Sequence, residues 1–479
     1  MRRAKIVATL GPALDEPERL RAAVEAGIDV VRLNFSHGEH ADHARRLEMV
    51  RAVAQRTGRS VGALADMQGP KIRLGSLPET GVPVATGSEV FLIPGTERLD
   101  AYDSGGHAAL PVVYEHLAAD VSPGSLVLID DGSIRLVVSR VEPGGVWARV
   151  VAGGVARSRK GVNLPGVAVS APSMTDKDYV DIAAAVEMGA DWIAMSFVRR
   201  PSDVLEARAR VHALGGEAPI IAKLERPEAI TALEAILEAS DAVMVARGDL
   251  GVEIGPERVP AIQKEIIAQA NAQARPVITA TEMLESMIGS PRPTRAEASD
   301  VANAVFDGTD ALMLSAETAT GAYPVEAVRT MARIIEVAEA SPQLSHPAPA
   351  PRFELSIGRV VARAAVQVAR DVRAAAIVVY SITGSSIQLV STYRPDVPLL
   401  GLSPSDRVCR RTALMWGSEA AHVPMKEHTA DLAMAAERLL VDSQRAGRGD
   451  LVVLVSGRPG GQGGTNRIMV HRVGDPISG

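Results

Sequence analysis

The feature that most constrains the fold of this chain is a repeated alternation of short apolar runs and longer segments with helical periodicity. KIVATLG, DVVRLNFS and SVGALADMQ are typical of buried strands, and similar runs recur between helical patterns after Gly161. Eight such strands can be counted in all. Because eight parallel strands joined by helices close into a (β/α)8 barrel, the sequence predicts an α/β protein with a TIM barrel over residues 1–69 and 161–340.

The alternation is interrupted between Gly69 and Gly161. Residues 70–160 show little helical periodicity but many alternating runs, such as SLVLIDDGSIRLVVSRVE, with frequent glycine and proline turns. We predict a small β domain inserted above the barrel. A proline-rich linker over residues 341–352 precedes renewed α/β patterning, so residues 353–479 are predicted to form a third, C-terminal α/β domain.

Composition excludes several classes of protein. The net charge of −6 and the 3% of aromatic residues argue against an extended nucleic-acid surface. No apolar run reaches the roughly 18–20 residues of a membrane span, and the start lacks the pattern of a cleaved signal peptide, so we expect a cytoplasmic protein. The single cysteine, Cys409, excludes an intrachain disulfide and a zinc cluster of cysteines, and it is expected to be a packing residue.

Polar residues cluster where the apolar strands end. In a barrel of this kind the active site forms at the carboxyl ends of the strands, so a ring of polar strand ends predicts its position. The members of this ring are Arg32, Asn34, Ser36, Asp66, Lys223, Glu225, Arg247, Asp249, Thr279, Thr281, Glu282, Ser315 and Glu317.

Two members of the ring suggest a metal site. We expect Glu225 and Asp249 on neighbouring strands, and two carboxylates with room for water and substrate oxygens suit Mg²⁺ better than zinc. Lys223 lies two residues before Glu225 and therefore on the same face of its strand. A lysine beside a carboxylate-bound cation indicates a highly negative substrate, such as a phosphoryl group or an enolate. A structural lysine–glutamate pair is the alternative.

The motifs in this chain resemble those of the pyruvate kinase family along nearly the whole length. The resemblance rests on KIVATLGPA, VVRLNFSHG, GPKIRLG, KGVNLPG, AKLERPEA, VMVARGDLGVE, TATEMLESM and above all PRPTRAEASDVANAVFDGTDALMLSAET. It implies phosphoryl transfer between phosphoenolpyruvate and ADP in glycolysis, through an enolate of pyruvate. It also implies a barrel, an inserted small β-barrel that acts as a lid, and a C-terminal effector and assembly domain in a homotetramer.

The resemblance assigns roles to residues of the ring. Lys223 would hold the transferring phosphoryl group and the enolate oxygen, Arg32 would contact the phosphoryl group, and Glu225 and Asp249 would bind Mg²⁺, with Mn²⁺ as an alternative. The backbone at Gly248 and Asp249 and the Thr281 side chain would bind the substrate carboxylate. The positions that handle the nucleotide are Asn34, Ser36, His37, Arg73 and Lys160.

The source of the proton for the enolate carbon is left open by the sequence. Thr281 is a poor acid on its own and would have to act through water. Ser315 and Glu317 either support that relay or have a structural role.

Lys71 departs from the pattern that many family members show. Those members have a glutamate here and require K⁺ near the positions of Asn34, Ser36 and Asp66. An ammonium a few Å from such a site would repel K⁺ by about 4 kcal/mol at an effective dielectric of about 20. We therefore expect the lysine charge to replace the ion, so that K⁺ is not required. The alternative is that Lys71 points into solvent at the lid hinge and K⁺ still binds.

The C-terminal domain contains a candidate effector site. SITGSSIQ passes from a strand into a helix, which suits a phosphate at a helix N-terminus. The resemblance implies a phosphorylated allosteric effector that contacts Thr383, Ser385, Ser386 and Arg458.

Two other functions are alternatives. A catalytically silent sensor would be expected to lose Lys223, Glu225 or Asp249. A keto-acid lyase or aldolase would need neither the lid nor Arg73 and Lys160.

Overall fold

The computed structural model describes residues 2–342, 356–425, 429–457 and 464–476. The first three strands are mostly buried, as expected for parallel strands that are covered on both faces. The first elements are β1 (Lys5–Thr9), α1 (Pro17–Ala26), β2 (Val30–Asn34), α2 (His40–Thr57) and β3 (Gly62–Asp66).

The segment after β3 forms a β-rich domain with its own apolar core. Its strands make a seven-stranded sheet in the order β12-β8-β9-β10-β5-β7-β6 and a two-stranded sheet of β11 and β4. We refer to this part as the inserted domain. Its elements are β4 (Val82–Val84), β5 (Glu89–Pro94), β6 (Asp103–Ser104), β7 (His107–Val112), α3 (Leu117–Asp120), β8 (Leu126–Ile129), β9 (Ile134–Glu142), β10 (Gly145–Ala152), β11 (Gly154–Ala156) and β12 (Val162–Asn163).

Five further strands complete a closed parallel barrel in the order β1-β17-β16-β15-β14-β13-β3-β2. The predicted eight-stranded barrel is therefore confirmed. Its remaining elements are α4 (Asp176–Glu187), β13 (Trp192–Met195), α5 (Pro201–Ala213), β14 (Ile220–Leu224), α6 (Pro227–Thr231), α7 (Leu233–Ala239), β15 (Ala242–Ala246), α8 (Arg247–Ile254), α9 (Val259–Ala272), β16 (Val277–Ala280), α10 (Arg295–Asp307), β17 (Ala311–Leu314), α11 (Ala316–Ala319) and α12 (Pro324–Glu339).

The C-terminal part is the expected α/β domain, a five-stranded sheet in the order β20-β19-β18-β21-β22 in which β22 is antiparallel. Burial raises the pKa of Cys409 in this domain to about 11, as expected for a packing residue. The elements are α13 (Ile357–Asp371), β18 (Ala376–Tyr380), α14 (Ser385–Thr392), β19 (Leu399–Ser403), α15 (Asp406–Thr412), β20 (Ser418–His422), α16 (Thr429–Asp442), β21 (Leu451–Gly457) and β22 (Thr465–Arg472).

A buried ion pair fastens the C-terminal domain to the barrel. The guanidinium of Arg394 lies 2.6 Å from Oδ1 of Asp310 and donates to the carbonyl of Gly308 and the side chain of Asn271. It also lies over the ring of Trp416, 4.7 Å from the centroid. Both charged side chains are almost fully buried, so each depends on the other for compensation.

We expect Arg394→Met to lower the free energy of unfolding by about 3 kcal/mol, because it leaves the Asp310 carboxylate buried without its partner. Urea unfolding followed by fluorescence measures this change. Arg370→Met is the control: Arg370 pairs with Asp396 at the surface, and its loss should cost less than about 1 kcal/mol. Equal losses of unfolding free energy in the two variants would contradict the conclusion that Arg394 compensates the buried charge of Asp310.

Candidate active site

The mouth of the barrel is organised around the carboxylate of Asp66, at the end of β3. Its Oδ2 accepts a hydrogen bond of 2.6 Å from Nε of Arg32, and its Oδ1 lies 3.2 Å from Nζ of Lys223. Asp66 is 1% exposed. Burial alone would raise the pKa of this carboxyl, but Lys223 and Arg32 outweigh it and hold the pKa below its usual value. Asp66 therefore fixes two cations side by side.

Lys223 is held from three directions. Besides Asp66, its Nζ lies 3.0 Å from Oε1 of Glu225 and donates to Oγ of Ser196 at 2.6 Å. Burial acts to lower the pKa of Lys223, but Asp66 and Glu225 outweigh it and the pKa is raised. Lys223 is therefore a protonated hydrogen-bond donor, unsuited to act as a base near neutral pH.

Glu225 lies directly after β14, and Asp249 lies in the first turn of α8. The sequence pattern predicts Arg247 and Asp249 at the end of a strand, but β15 stops at Ala246 and both residues are helical. The backbone N–H of Phe197 donates to Oε2 of Glu225. Burial raises the pKa of Glu225, and the negative charge of Asp249 adds to the rise, against the effect of Lys223.

The donor set suits a hard divalent cation. Within the described ranges, no group of three or more histidine, cysteine, aspartate or glutamate side chains is arranged to hold a metal. Two carboxylates remain, and Mg²⁺ commonly takes one or two carboxylates and completes its shell with water and substrate oxygens. The donor chemistry of Glu225 and Asp249, two carboxylates, therefore fits Mg²⁺.

Lys71 lies on the segment that leads from β3 into the inserted domain. Its Nζ donates to Oδ1 of Asp249 at 3.0 Å, and the two side chains are 25% and 26% exposed. We expected Lys71 close to Asn34, Ser36 and Asp66. The ion pair in the structure is with Asp249, a candidate metal ligand.

The loop after β16 has an unusual backbone. Thr281 and Glu282 have φ values of 70° and 56°, in the left-handed region that side chains other than glycine rarely adopt. The Thr281 hydroxyl accepts from the N–H of Gly248 and donates to the carbonyl of Ala280. Arg247 stabilises this conformation by donating to the carbonyls of Ala280 and Thr281. The structure thus brings Thr281 and Gly248 together.

Ser315 and Glu317 lie beside that loop. The buried carboxylate of Glu317 accepts from the backbone N–H of Ser315 and from that of Leu284. Both oxygens are engaged with backbone, which favours a structural role for Glu317. Thr279 faces away from this chemistry, because it is buried and donates to the hydroxyl of Thr309.

The candidate nucleotide residues come from two parts of the chain. Asn34 and Ser36 are joined by a bond from the Ser36 N–H to Oδ1 of Asn34. On the inserted domain, the backbone at Arg73 is bridged to Gly161, and Lys160 lies 2.9 Å from Asp130. Burial, followed by the charges of Arg73, Arg32 and Lys71, lowers the pKa of His37. His37 therefore lies among the cations of both parts.

An open cleft of about 1040 Å³ separates the inserted domain from the barrel mouth. Its walls include Lys71, Asp131 and Arg135 on one side and Asp249 and Thr281 on the other. A ligand of the size of a nucleotide can therefore reach the charged ring.

The candidate effector residues lie at the start of α14. Thr383 and Ser385 are joined by a hydroxyl–hydroxyl bond of 3.0 Å, and Ser386 is joined to Thr465 at 2.6 Å. Arg458 lies outside the described residues.

Sequence reasoning missed two hydroxyls that hold the charged ring. Ser196, after β13, contacts Lys223, and Thr9, at the end of β1, accepts from Arg32 at 3.1 Å. Both residues lie at the carboxyl ends of barrel strands, but a single serine or threonine at a strand end is only a weak signal.

Two protein-family models match this chain. Residues 1–328 match the family model for the pyruvate kinase barrel domain, and residues 359–471 match the model for the pyruvate kinase alpha/beta domain. The chain belongs to the pyruvate kinase family. It is 46% identical to the pyruvate kinases of Mycobacterium intracellulare and Mycobacterium tuberculosis strain H37Rv, covering 99% of both chains in each case. It is 44% identical to that of Corynebacterium glutamicum, covering 99% of this chain and 98% of the other.

Membership of the pyruvate kinase family makes the chain a phosphotransferase. The charged ring at the barrel mouth is consistent with this chemistry, since phosphoryl transfer depends on positioning and charge neutralisation. None of the helices in the described part of the chain combines the length and the apolar character that a membrane span requires.

We expect the pKa of His37 to lie below its usual value of about 6.5 and to rise in Arg73→Gln, because that change removes one of the cations that disfavour the imidazolium. The unfolded chain then binds a proton before the folded one does, so His37 lowers stability as the pH falls through about 6.5. Deuterium exchange at the imidazole C2, read by mass spectrometry, measures the pKa. His422, in the C-terminal domain, is the internal control. An unchanged pKa of His37 in Arg73→Gln would contradict the placement of Arg73 near His37.

Proposed function

We propose that this chain transfers the phosphoryl group of phosphoenolpyruvate to ADP, giving pyruvate and ATP in glycolysis. The observation that carries the proposal is the fixed arrangement of Lys223, Arg32 and Asp66 at the barrel mouth, beside Glu225. Two cations held 3.2 Å or less from one buried carboxylate form a rigid positive surface for a phosphorylated enol.

In this proposal the Lys223 ammonium donates a hydrogen bond to the oxygen that bridges phosphorus and the enol carbon. It keeps its proton and stabilises the negative charge of the enolate that remains after phosphoryl transfer. Arg32 binds the phosphoryl oxygens. Asp66 orients both donors, and Ser196 fixes the third direction of the Lys223 ammonium. Because these groups are positioned before the substrate arrives, little reorganisation is needed in the transition state.

Glu225 and Asp249 would hold Mg²⁺, with Mn²⁺ as an alternative. When bound, the cation supplies positive charge that neutralises the phosphoryl and enolate oxygens. The backbone at Gly248 and Asp249 and the Thr281 hydroxyl orient the substrate carboxylate. We also place the Thr281 hydroxyl at the start of a water relay that protonates the enolate carbon.

The inserted domain would act as a lid, and its residues Arg73 and Lys160 would bind the ADP phosphates. Asn34, Ser36 and His37 would contact the nucleotide from the barrel. We propose that Lys71 replaces K⁺ as the monovalent charge of the site. A phosphorylated effector at Thr383, Ser385 and Ser386, a homotetrameric assembly and a cytoplasmic location complete the proposal.

We expect Lys223→Met to lower kcat by about 100-fold or more, because it removes a charged donor aimed at the developing enolate. Pyruvate release coupled to lactate dehydrogenase measures turnover. Arg370→Met, a surface change in the C-terminal domain, should keep full activity. Turnover that did not depend on ADP would contradict the proposed function and favour a lyase.

In a buffer whose monovalent cation is tetramethylammonium, we expect added KCl to change the activity of the unaltered enzyme less than about twofold, because the Lys71 ammonium repels K⁺. Lys71→Met should lower kcat by about tenfold. Arg140→Met, which removes a cation that pairs with Glu89 and Glu142 inside the inserted domain, is the matched control. A many-fold rise of the unaltered enzyme on adding KCl would show that K⁺ binds after all.

A further inference from the structure

Two contacts join one face of helix α8 to the two segments through which the chain leaves and re-enters the barrel. Asp249 accepts from Lys71, on the exit segment, and Glu253 accepts from Nδ2 of Asn163, on the re-entry strand β12. Residues four apart in a helix lie on the same face. Helix α8 therefore contacts both connections to the inserted domain.

The re-entry contacts are buried. Asn163 and Glu253 are both less than a tenth exposed, and Arg226 donates to the same Glu253 oxygen at 2.7 Å. Arg199 binds the carbonyls of Val169 and Ala171 a few residues further on. No candidate metal ligand takes part in these contacts, so they should persist when a cation binds.

The exit contact has the opposite character. Lys71 and Asp249 are each about a quarter exposed, so water or another ion can replace either partner in the bond between them. The atom that accepts from Lys71 is Oδ1 of Asp249, and Asp249 is one of the two carboxylates suited to Mg²⁺. An ammonium 3.0 Å from that oxygen lies within the space that a cation and its water would take.

We propose that Lys71 competes with the divalent cation for Asp249, so that loading of the cation releases Lys71 from helix α8. The inference rests on the proposed function, because it requires Asp249 to be a ligand. Mutual repulsion of the two cations makes the competition reciprocal: each weakens the hold of Asp249 on the other.

Release gives the lysine a second role. The Lys71 side chain passes beside Gly161. Gly161 is bridged through its backbone to Arg73 and directly follows Lys160, and we propose that Arg73 and Lys160 bind the nucleotide. Once detached from Asp249, its charge is free for the ADP phosphates. The charge that replaces K⁺ therefore becomes available when the cation is in place, which links occupation of the metal site to readiness for ADP.

The first test measures binding of Mn²⁺ to the full-length enzyme without substrates, from the electron paramagnetic resonance signal of free Mn²⁺. We expect Lys71→Met to bind Mn²⁺ about two- to fivefold more tightly than the unaltered enzyme, the range expected for loss of a partly exposed competing ion pair. Arg140→Met removes the same net charge from the inserted domain and should leave the affinity unchanged. Equal or weaker binding by Lys71→Met would overturn the proposal.

The second test asks whether the cation moves Lys71. The enzyme is acetylated briefly with an N-hydroxysuccinimide ester, with and without saturating Mg²⁺, and modification is measured by mass spectrometry. We expect labelling of Lys71 to rise at least twofold with Mg²⁺, while Lys264, an exposed residue of α9 paired with Asp307, keeps its rate. Labelling of Lys71 that stayed constant or fell would overturn the proposal.

Asp249→Asn separates failure of this inference from failure of the proposed function. If the variant binds Mn²⁺ as tightly as the unaltered enzyme, Asp249 is not a ligand, and both the metal site of the proposed function and the competition are wrong. If it loses Mn²⁺ while Lys71→Met shows no gain, the metal site stands and the competition is wrong. Loss in Asp249→Asn together with a gain in Lys71→Met supports both.

Discussion

The site depends on one buried carboxylate. Asp66 lies at the end of β3 with Arg32 on one oxygen and Lys223 on the other, and because all three side chains are largely buried, solvent screens their charges only weakly. Removing one partner from a buried set of this kind costs about 3–5 kcal/mol, because it leaves charge without compensation. Without Asp66, the two cations would repel each other and the barrel mouth could not hold a protonated lysine beside an arginine.

The segment that follows Asp66 at the end of β3 also connects the barrel with the inserted domain. Lys71 lies five positions after Asp66, so the carboxylate that orders the cations and the lysine that reaches Asp249 both lie at the end of one strand. Helix α8 receives the lysine and, one turn later, the re-entry strand. The geometry of the site and the attachment of the inserted domain therefore depend on the same few residues of β3 and α8.

The sequence was sufficient for the barrel and for most of the ring. Buried parallel strands have a strong apolar signature, and their carboxyl ends must meet at one face, so Arg32, Asp66, Lys223 and Glu225 could be placed together without coordinates. Asp249 was placed near the others but on the wrong kind of element, because RGD follows the apolar run directly and helix α8 begins without a side-chain cap. The hydroxyls of Thr9 and Ser196 were missed because one serine or threonine at a strand end is a weak signal.

The partner of Lys71 could not be found from sequence. The ion pair spans 178 residues of chain and depends on how the inserted domain is docked, which no local pattern records. The most direct measurement is the anomalous diffraction of crystals soaked in Mn²⁺. The account predicts a single strong peak between the carboxylates of Glu225 and Asp249, with Nζ of Lys71 moved out of hydrogen-bond distance of Asp249. A peak elsewhere, or one at this site with Lys71 still bound to Asp249, would contradict it.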